Sequence, residues 1–135
     1  GAGRAAHATD VKFGPGGMLD VYFAARYLQL RDDVPDPPDD DRSTDATLAR
    51  LREHGALDAP AHRVLADGYA LLRRLDHFMR LISGRSTRLP AAPDHPLLAD
   101  LARLAGYASA DDLTRDLAAH MRAIRTAYDN VTGGG

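Results

Sequence analysis

The sequence predicts an all-α protein, a helical bundle of about five helices with a short extended N-terminal lead-in. Three observations point to it. Apolar residues recur at three- and four-residue spacing through most of the chain, capping residues and breakers separate those runs, and nothing after Phe13 alternates long enough to read as a strand.

Asp10-Val-Lys-Phe13 is extended in character, and Gly14-Pro-Gly-Gly17 then makes a turn whose glycines permit positive φ, so a strand-turn-helix entry is expected. The first helix, Met18 to Arg31, carries Met18, Val21, Tyr22, Ala25 and Leu28 on one face and Leu19, Phe23, Tyr27 and Leu30 on another. Apolar on two sides, it is expected to be buried centrally. Asp32 to Arg42 holds three prolines and six aspartates, the composition of a flexible surface loop that neither packs nor propagates a helix.

Ser43 or Thr44 can cap a second helix that runs through Thr47, Leu48 and Leu51 to a stop at Gly55. Asp58 and Pro60 open the third, where Ala61, Val64, Leu65, Leu71, Leu72, Leu75, Phe78, Met79 and Ile82 recur at helical spacing until Gly84. This long amphipathic rod is the expected spine. Asp94 with Pro96 starts a fourth helix that ends at Gly106, and Ser109 with Asp112 makes a capping box for a fifth. Leu113, Leu117, Met121, Ile124, Tyr128 and Val131 give the last helix one apolar stripe. Short connections make these segments an antiparallel bundle.

Composition agrees with one globular domain. At 135 residues, 44% hydrophobic and 27% charged, the chain can bury roughly two thirds of its unfolded surface. No apolar run approaches the roughly 20 residues that cross a bilayer, so no membrane partner is expected. Residues 1–9 lack the order of a signal peptide and read as a disordered lead-in, in part a cloning scar, with the cytoplasm as the default compartment. The helical domain is expected over 10–132, with 133–135 as a frayed tail.

The absence of cysteine removes thiolate chemistry, disulfides and Cys-ligated zinc. A formal net charge of -2 gives no field to gather nucleic acid. The six histidines, at 7, 54, 62, 77, 95 and 120, never fall at the i, i+4 spacing of a helical metal pair, so no metal site is expected. Asp111 and Asp112 sit where a helix N-terminus favours negative charge, and capping accounts for them better than catalysis does. No Gly-x-Ser-x-Gly elbow exists. Arg73, Arg74, Arg80, Arg85 and Arg88 could make a basic strip for phosphate or an acidic partner, but their spread around a helix favours solvated ion pairs, Asp76 with Arg73 and Arg80 among them.

One segment is specific: Asp10-Val-Lys-Phe-Gly-Pro-Gly-Gly-Met-Leu-Asp-Val-Tyr-Phe23. Its glycines could leave N–H groups facing an anion, with Lys12 as a nearby point charge. A tight turn into a buried helix needs the same glycines, and this structural reading is the stronger on physics alone.

At these residues the chain resembles the glutamine synthetase adenylyltransferases, bifunctional enzymes that attach AMP to glutamine synthetase and remove it. Their nucleotidyltransferase domains are each followed by a helical domain opening with a sequence like Asp-Val-Lys-x-x-Pro-Gly-Gly-Ile-x-Asp-Ile-Glu-Phe. The PII-uridylyltransferases carry a related turn. The resemblance continues through Arg26-Tyr-Leu-Gln-Leu-Arg31, Tyr69-Ala-Leu-Leu-Arg-Arg-Leu-Asp-His77, Leu89-Pro90 and Gly106-Tyr107, and so covers about Asp10 to Val131. The Tyr-Leu-Gln-Leu-Arg stretch is most similar to the second, C-terminal half of such enzymes.

The resemblance implies a non-catalytic helical domain that packs beside a nucleotidyltransferase domain of the same protein and helps present glutamine synthetase or respond to a PII signalling protein. It implies no catalytic or cofactor-binding residue in this chain. ATP and Mg²⁺ belong to the parent enzyme, whose Gly-Ser and Asp-x-Asp residues have no counterpart here. The candidate domain-junction or anion-facing residues are Asp10, Lys12, Gly14, Gly16, Gly17 and Asp20, and a candidate partner surface is Arg73, Arg74, Asp76 and His77. Tyr22 departs from the family pattern, which has Glu there. That departure motivates an alternative, a free-standing module that binds a protein or small anion.

Overall fold

The computed structural model describes residues 8–39, 41–84 and 86–133. The expected lead-in over 1–7, the last two residues of the expected tail, and Arg85 of the basic strip lie outside the described residues. Five helices follow one another: α1 (Met18–Arg31), α2 (Thr44–Glu53), α3 (Ala59–Ser83), α4 (Pro96–Ala105) and α5 (Ala110–Thr132).

Local chemistry sets most helix ends. Ser43, Asp58 and Ser109 each accept a hydrogen bond from the backbone N–H three residues on, satisfying a donor that the helix itself cannot. Gly106 and Gly133 close α4 and α5 in the left-handed conformation. At α4 the cap is His95, not Asp94, because the His95 Nδ1 lies 3.1 Å from the Leu97 N–H that donates to it.

The long helix α3 touches each of the other four, as a spine should. Leu65, Leu72, Leu75 and Met79 on its inward face are fully buried together with Leu48, Leu51, Leu98, Leu101, Leu113 and Ile124 from its neighbours. Each such side chain is worth about 1.5–3 kcal/mol of transfer from water. α3 approaches α5 closely at Gly68, where an added Cβ would lie 2.6 Å from Ile124 Cδ1.

Other expectations are corrected as well. The segment Asp10 to Phe13 is not a strand; only an isolated antiparallel bridge, Asp10 to Arg88, forms before the chain turns. Thr9 belongs to the fold and not to a loose lead-in, since its carbonyl accepts from Leu89 N–H at 2.8 Å. Nor is the acidic loop wholly at the surface: Val34 is buried, its N–H donates to the Gln29 carbonyl, and Gln29 Nε2 donates to Asp36.

A further correction concerns α1, which is buried on one side only. Val21, Ala24, Ala25 and Leu28 face inward, whereas Tyr22, Phe23, Tyr27 and Leu30 are 43%, 51%, 41% and 76% exposed. The reason is supply. α1 packs against α2, α3 and α5, and these cover a single flank.

Candidate functional site

The signature segment folds as a knot of internal hydrogen bonds. Asp10 Oδ1 accepts from the N–H groups of Lys12 (3.0 Å) and Phe13 (2.8 Å) and from the Thr87 hydroxyl (2.9 Å), and Arg88 approaches Oδ2 at 3.5 Å. Val11 N–H donates to the Thr87 carbonyl at 3.0 Å, so the turn is tied to the segment that follows α3.

Gly17, the residue before α1, has no side chain to cap the helix. Backbone carbonyls act as the cap instead, with Met18 N–H donating to the Val11 carbonyl at 2.9 Å and Leu19 N–H to the Lys12 carbonyl at 3.0 Å. Gly14 N–H donates to the Asp10 carbonyl, Gly17 N–H to the Gly14 carbonyl, and Gly16 N–H to Asp20 Oδ2 at 2.6 Å. The same Asp20 oxygen accepts from Arg125 at 3.0 Å, which fixes the turn to α5. The three glycine N–H groups are therefore spent within the chain, and the geometry gives them a structural role.

Burial pushes the Asp10 carboxyl up, but the N–H groups of Phe13 and Lys12, the Thr87 hydroxyl and Arg88 together outweigh it and hold the group below its ordinary 3.8. A carboxyl lowered on folding contributes stability that is present above its unfolded pKa and lost as pH falls through the folded value. Asp10→Asn is accordingly expected to be less stable than the unmodified chain at pH 7, with the gap closing below about pH 4. Urea denaturation of both proteins from pH 7 to pH 2 checks this; a gap that is constant with pH would refute it.

The turn presents Phe13 and Pro15 outward, with Lys12 half-buried beside Phe13. The Lys12 ammonium sits 5.5 Å from the centre of the Phe13 ring, and Phe13 is 64% exposed. Asp10, Gly14, Gly16, Gly17 and Asp20 stand behind them as framework.

The second candidate surface is dispersed. Arg73 does not pair with Asp76; it crosses to Asp45 of α2 at 2.8 Å, because Asp76 lies buried on the inner side of α3. Arg74 donates to the Ala105 carbonyl at the end of α4, at 3.1 Å. Asp76 pairs with Arg80 at 3.1 Å, as expected, and His77 is exposed beside Phe78. The strip resolves into ion pairs and a helix cap, with Arg88 engaged at Asp10.

One polar cluster is not legible in the sequence. The Tyr107 hydroxyl donates to Asp116 at 2.5 Å, and His120 lies 3.7 Å from the other Asp116 oxygen. Burial, followed by the hydrogen bond and charge of Asp116, pushes the Tyr107 phenol up to about 12. It stays a donor that ties the α4–α5 turn to α5. The spacing of nine residues across a turn gives no local signal. A cleft of about 630 Å³ lies between Leu28, Leu57, Pro60, Val64, Ala127 and Val131 and is mostly apolar.

Among the described residues no three His, Asp or Glu side chains converge on a point that could hold a metal ion. Asp10 and Asp20 are already committed to N–H and guanidinium groups. No described helix is long and apolar enough to cross a membrane.

The described residues form an all-α bundle whose first helix is entered through an Asp-anchored glycine turn. The family described as GlnD PII-uridylyltransferase matches residues 2–132, and the chain belongs to that family. It is similar to the bifunctional glutamine synthetase adenylyltransferase/adenylyl-removing enzyme of Ralstonia nicotianae, 30% identical over 127 residues that make up 93% of this chain and 13% of that protein. The enzymes of the same description from Xanthobacter autotrophicus and Nitrosomonas europaea are each 28% identical over 123 residues, 90% of this chain and 12% and 13% of theirs. The chain thus spans about an eighth of the length of these relatives.

Proposed function

We propose that this chain is the non-catalytic helical domain of a glutamine synthetase adenylyltransferase-like protein of nitrogen metabolism, working in the cytoplasm. In this reading it packs against a nucleotidyltransferase domain of the same protein, which holds ATP and Mg²⁺. It helps that domain dock glutamine synthetase or respond to a PII signalling protein. The observation that carries the reading is the signature turn: its framework is closed by internal bonds, yet it holds a large aromatic, Phe13, out in solvent beside a cation. An aromatic held out beside a cation at the entry to the bundle is the kind of anchor that a docked neighbour would bury.

The test is binding of the chain to the separately expressed nucleotidyltransferase segment of its parent, followed by calorimetry. Phe13→Asp is expected to weaken the complex at least about tenfold while leaving the helical content unchanged, since Phe13 is exposed. Equal binding by the variant would remove the signature edge from the junction. The alternative of a free-standing module is favoured in its protein-binding form by the open face of α1, and disfavoured in its anion-binding form by the spent glycine donors.

A further inference from the structure

The open flank of α1 has an order of its own. Read from Leu19 to Leu30, the sequence Leu-Asp-Val-Tyr-Phe-Ala-Ala-Arg-Tyr-Leu-Gln-Leu is nearly palindromic about the Ala24–Ala25 bond. Leu19 matches Leu30, Tyr22 matches Tyr27, and Phe23 matches Arg26. All six of these lie on the flank that α2, α3 and α5 leave uncovered, Leu19 being half-buried and the rest exposed.

We infer that α1 pairs antiparallel with α1 of a second copy of this chain, about a two-fold axis that crosses the interface between the two helices at the level of the Ala24–Ala25 bond. Such an interface is isologous, so each residue meets the one that mirrors it in sequence. Leu19 then meets the partner's Leu30, Tyr22 the partner's Tyr27, and the Arg26 guanidinium the face of the partner's Phe23. Two apolar pairs, two aromatic pairs and two cation–π pairs result, and no like charges meet. The only ionised side chain of the six, Arg26, keeps its hydrogen bond to Gln29 at 2.6 Å and its ion pair with Asp36 at 3.8 Å, and stands roughly 10 Å from its mate across the axis, about one Debye length.

Area sets the strength. Aromatic side chains offer about 150–250 Å² each, so the exposed fractions leave on the order of 500 Å² per copy. The total of about 1,000 Å² is at the lower end for a specific interface, which implies a reversible dimer and not a permanent one. The inference goes beyond the docking role proposed above and does not rest on it, because that role stands on Phe13 at the turn.

Sedimentation of the full chain from about 10 μM to about 1 mM should show a monomer–dimer equilibrium, weakened at least about tenfold by Phe23→Glu with helical content unchanged. Register is tested separately, since the chain has no cysteine of its own. A mixture of Leu19→Cys and Leu30→Cys chains should form a disulfide-linked dimer on mild oxidation. Neither variant alone should do so efficiently, its own cysteines lying about 16 Å apart along the paired helices. A chain monomeric at 1 mM overturns the inference, and if Phe23→Glu then also weakens binding of the nucleotidyltransferase segment, that segment is the occupant. A dimer indifferent to Phe23→Glu, or one cross-linked equally well by Leu30→Cys alone, overturns it too.

Discussion

Gly16→Ala is expected to destabilise the domain by about 3 kcal/mol or more, lowering its melting temperature by roughly 10 °C. Two costs add. Gly16 holds φ +77°, a region that a residue with a Cβ enters at about 1–2 kcal/mol. The added Cβ would also lie 1.9 Å from the Met121 carbonyl oxygen, so the turn must lift away from α5. Gly55 supplies the control: it has the same φ with no atom within 4 Å of its Cβ position, and Gly55→Ala should cost only about 1 kcal/mol. Thermal unfolding followed by circular dichroism measures both. Equal melting temperatures for the two variants would show that the contact with α5 carries no strain.

Asp20→Ala should cost about 2–3 kcal/mol, a loss with a different origin. The Asp20 carboxylate accepts from the buried Gly16 N–H and from Arg125. Arg125 keeps Asp129 at 3.5 Å and the Tyr128 ring at 4.8 Å, so the cation is not stranded. The glycine N–H is stranded, and an unpaired buried donor carries the full desolvation penalty. Asn at this position restores an acceptor and should recover about half of the loss. Because both residues serve one contact, Gly16→Ala and Asp20→Ala should be less than additive in the double variant. Additive losses in urea denaturation would mean that the two act independently.

The helices are legible because their ends are local chemistry. Ser43, Asp58 and Ser109 cap the helices they precede in sequence, and Gly106 and Gly133 close helices where a short-range reading places the stop. What the sequence does not carry is which apolar face finds a neighbour. α1 has two such faces, and periodicity alone assigns both to the core; only its packing partners show that one is left over. The same limit hides Asp10's partners, since Thr87 and Arg88 are 77 and 78 residues away. Gly68 gives no signal for a like reason: a glycine inside a helix reads as a weakness until Ile124 of α5 is seen to occupy the space. The glycines of the signature favour a turn over an anion cradle on physics alone, and the N–H partners of Gly14, Gly16 and Gly17 all lie within the chain.

The central claim, that chemistry is supplied by a neighbouring segment and not by this bundle, is tested most directly by AMP transfer. The pure chain is incubated with glutamine synthetase, labelled ATP and Mg²⁺, with and without the nucleotidyltransferase segment of its parent. No label on glutamine synthetase is expected from the chain alone, and labelling is expected once the segment is added. Metal-dependent labelling by the chain alone would contradict the claim.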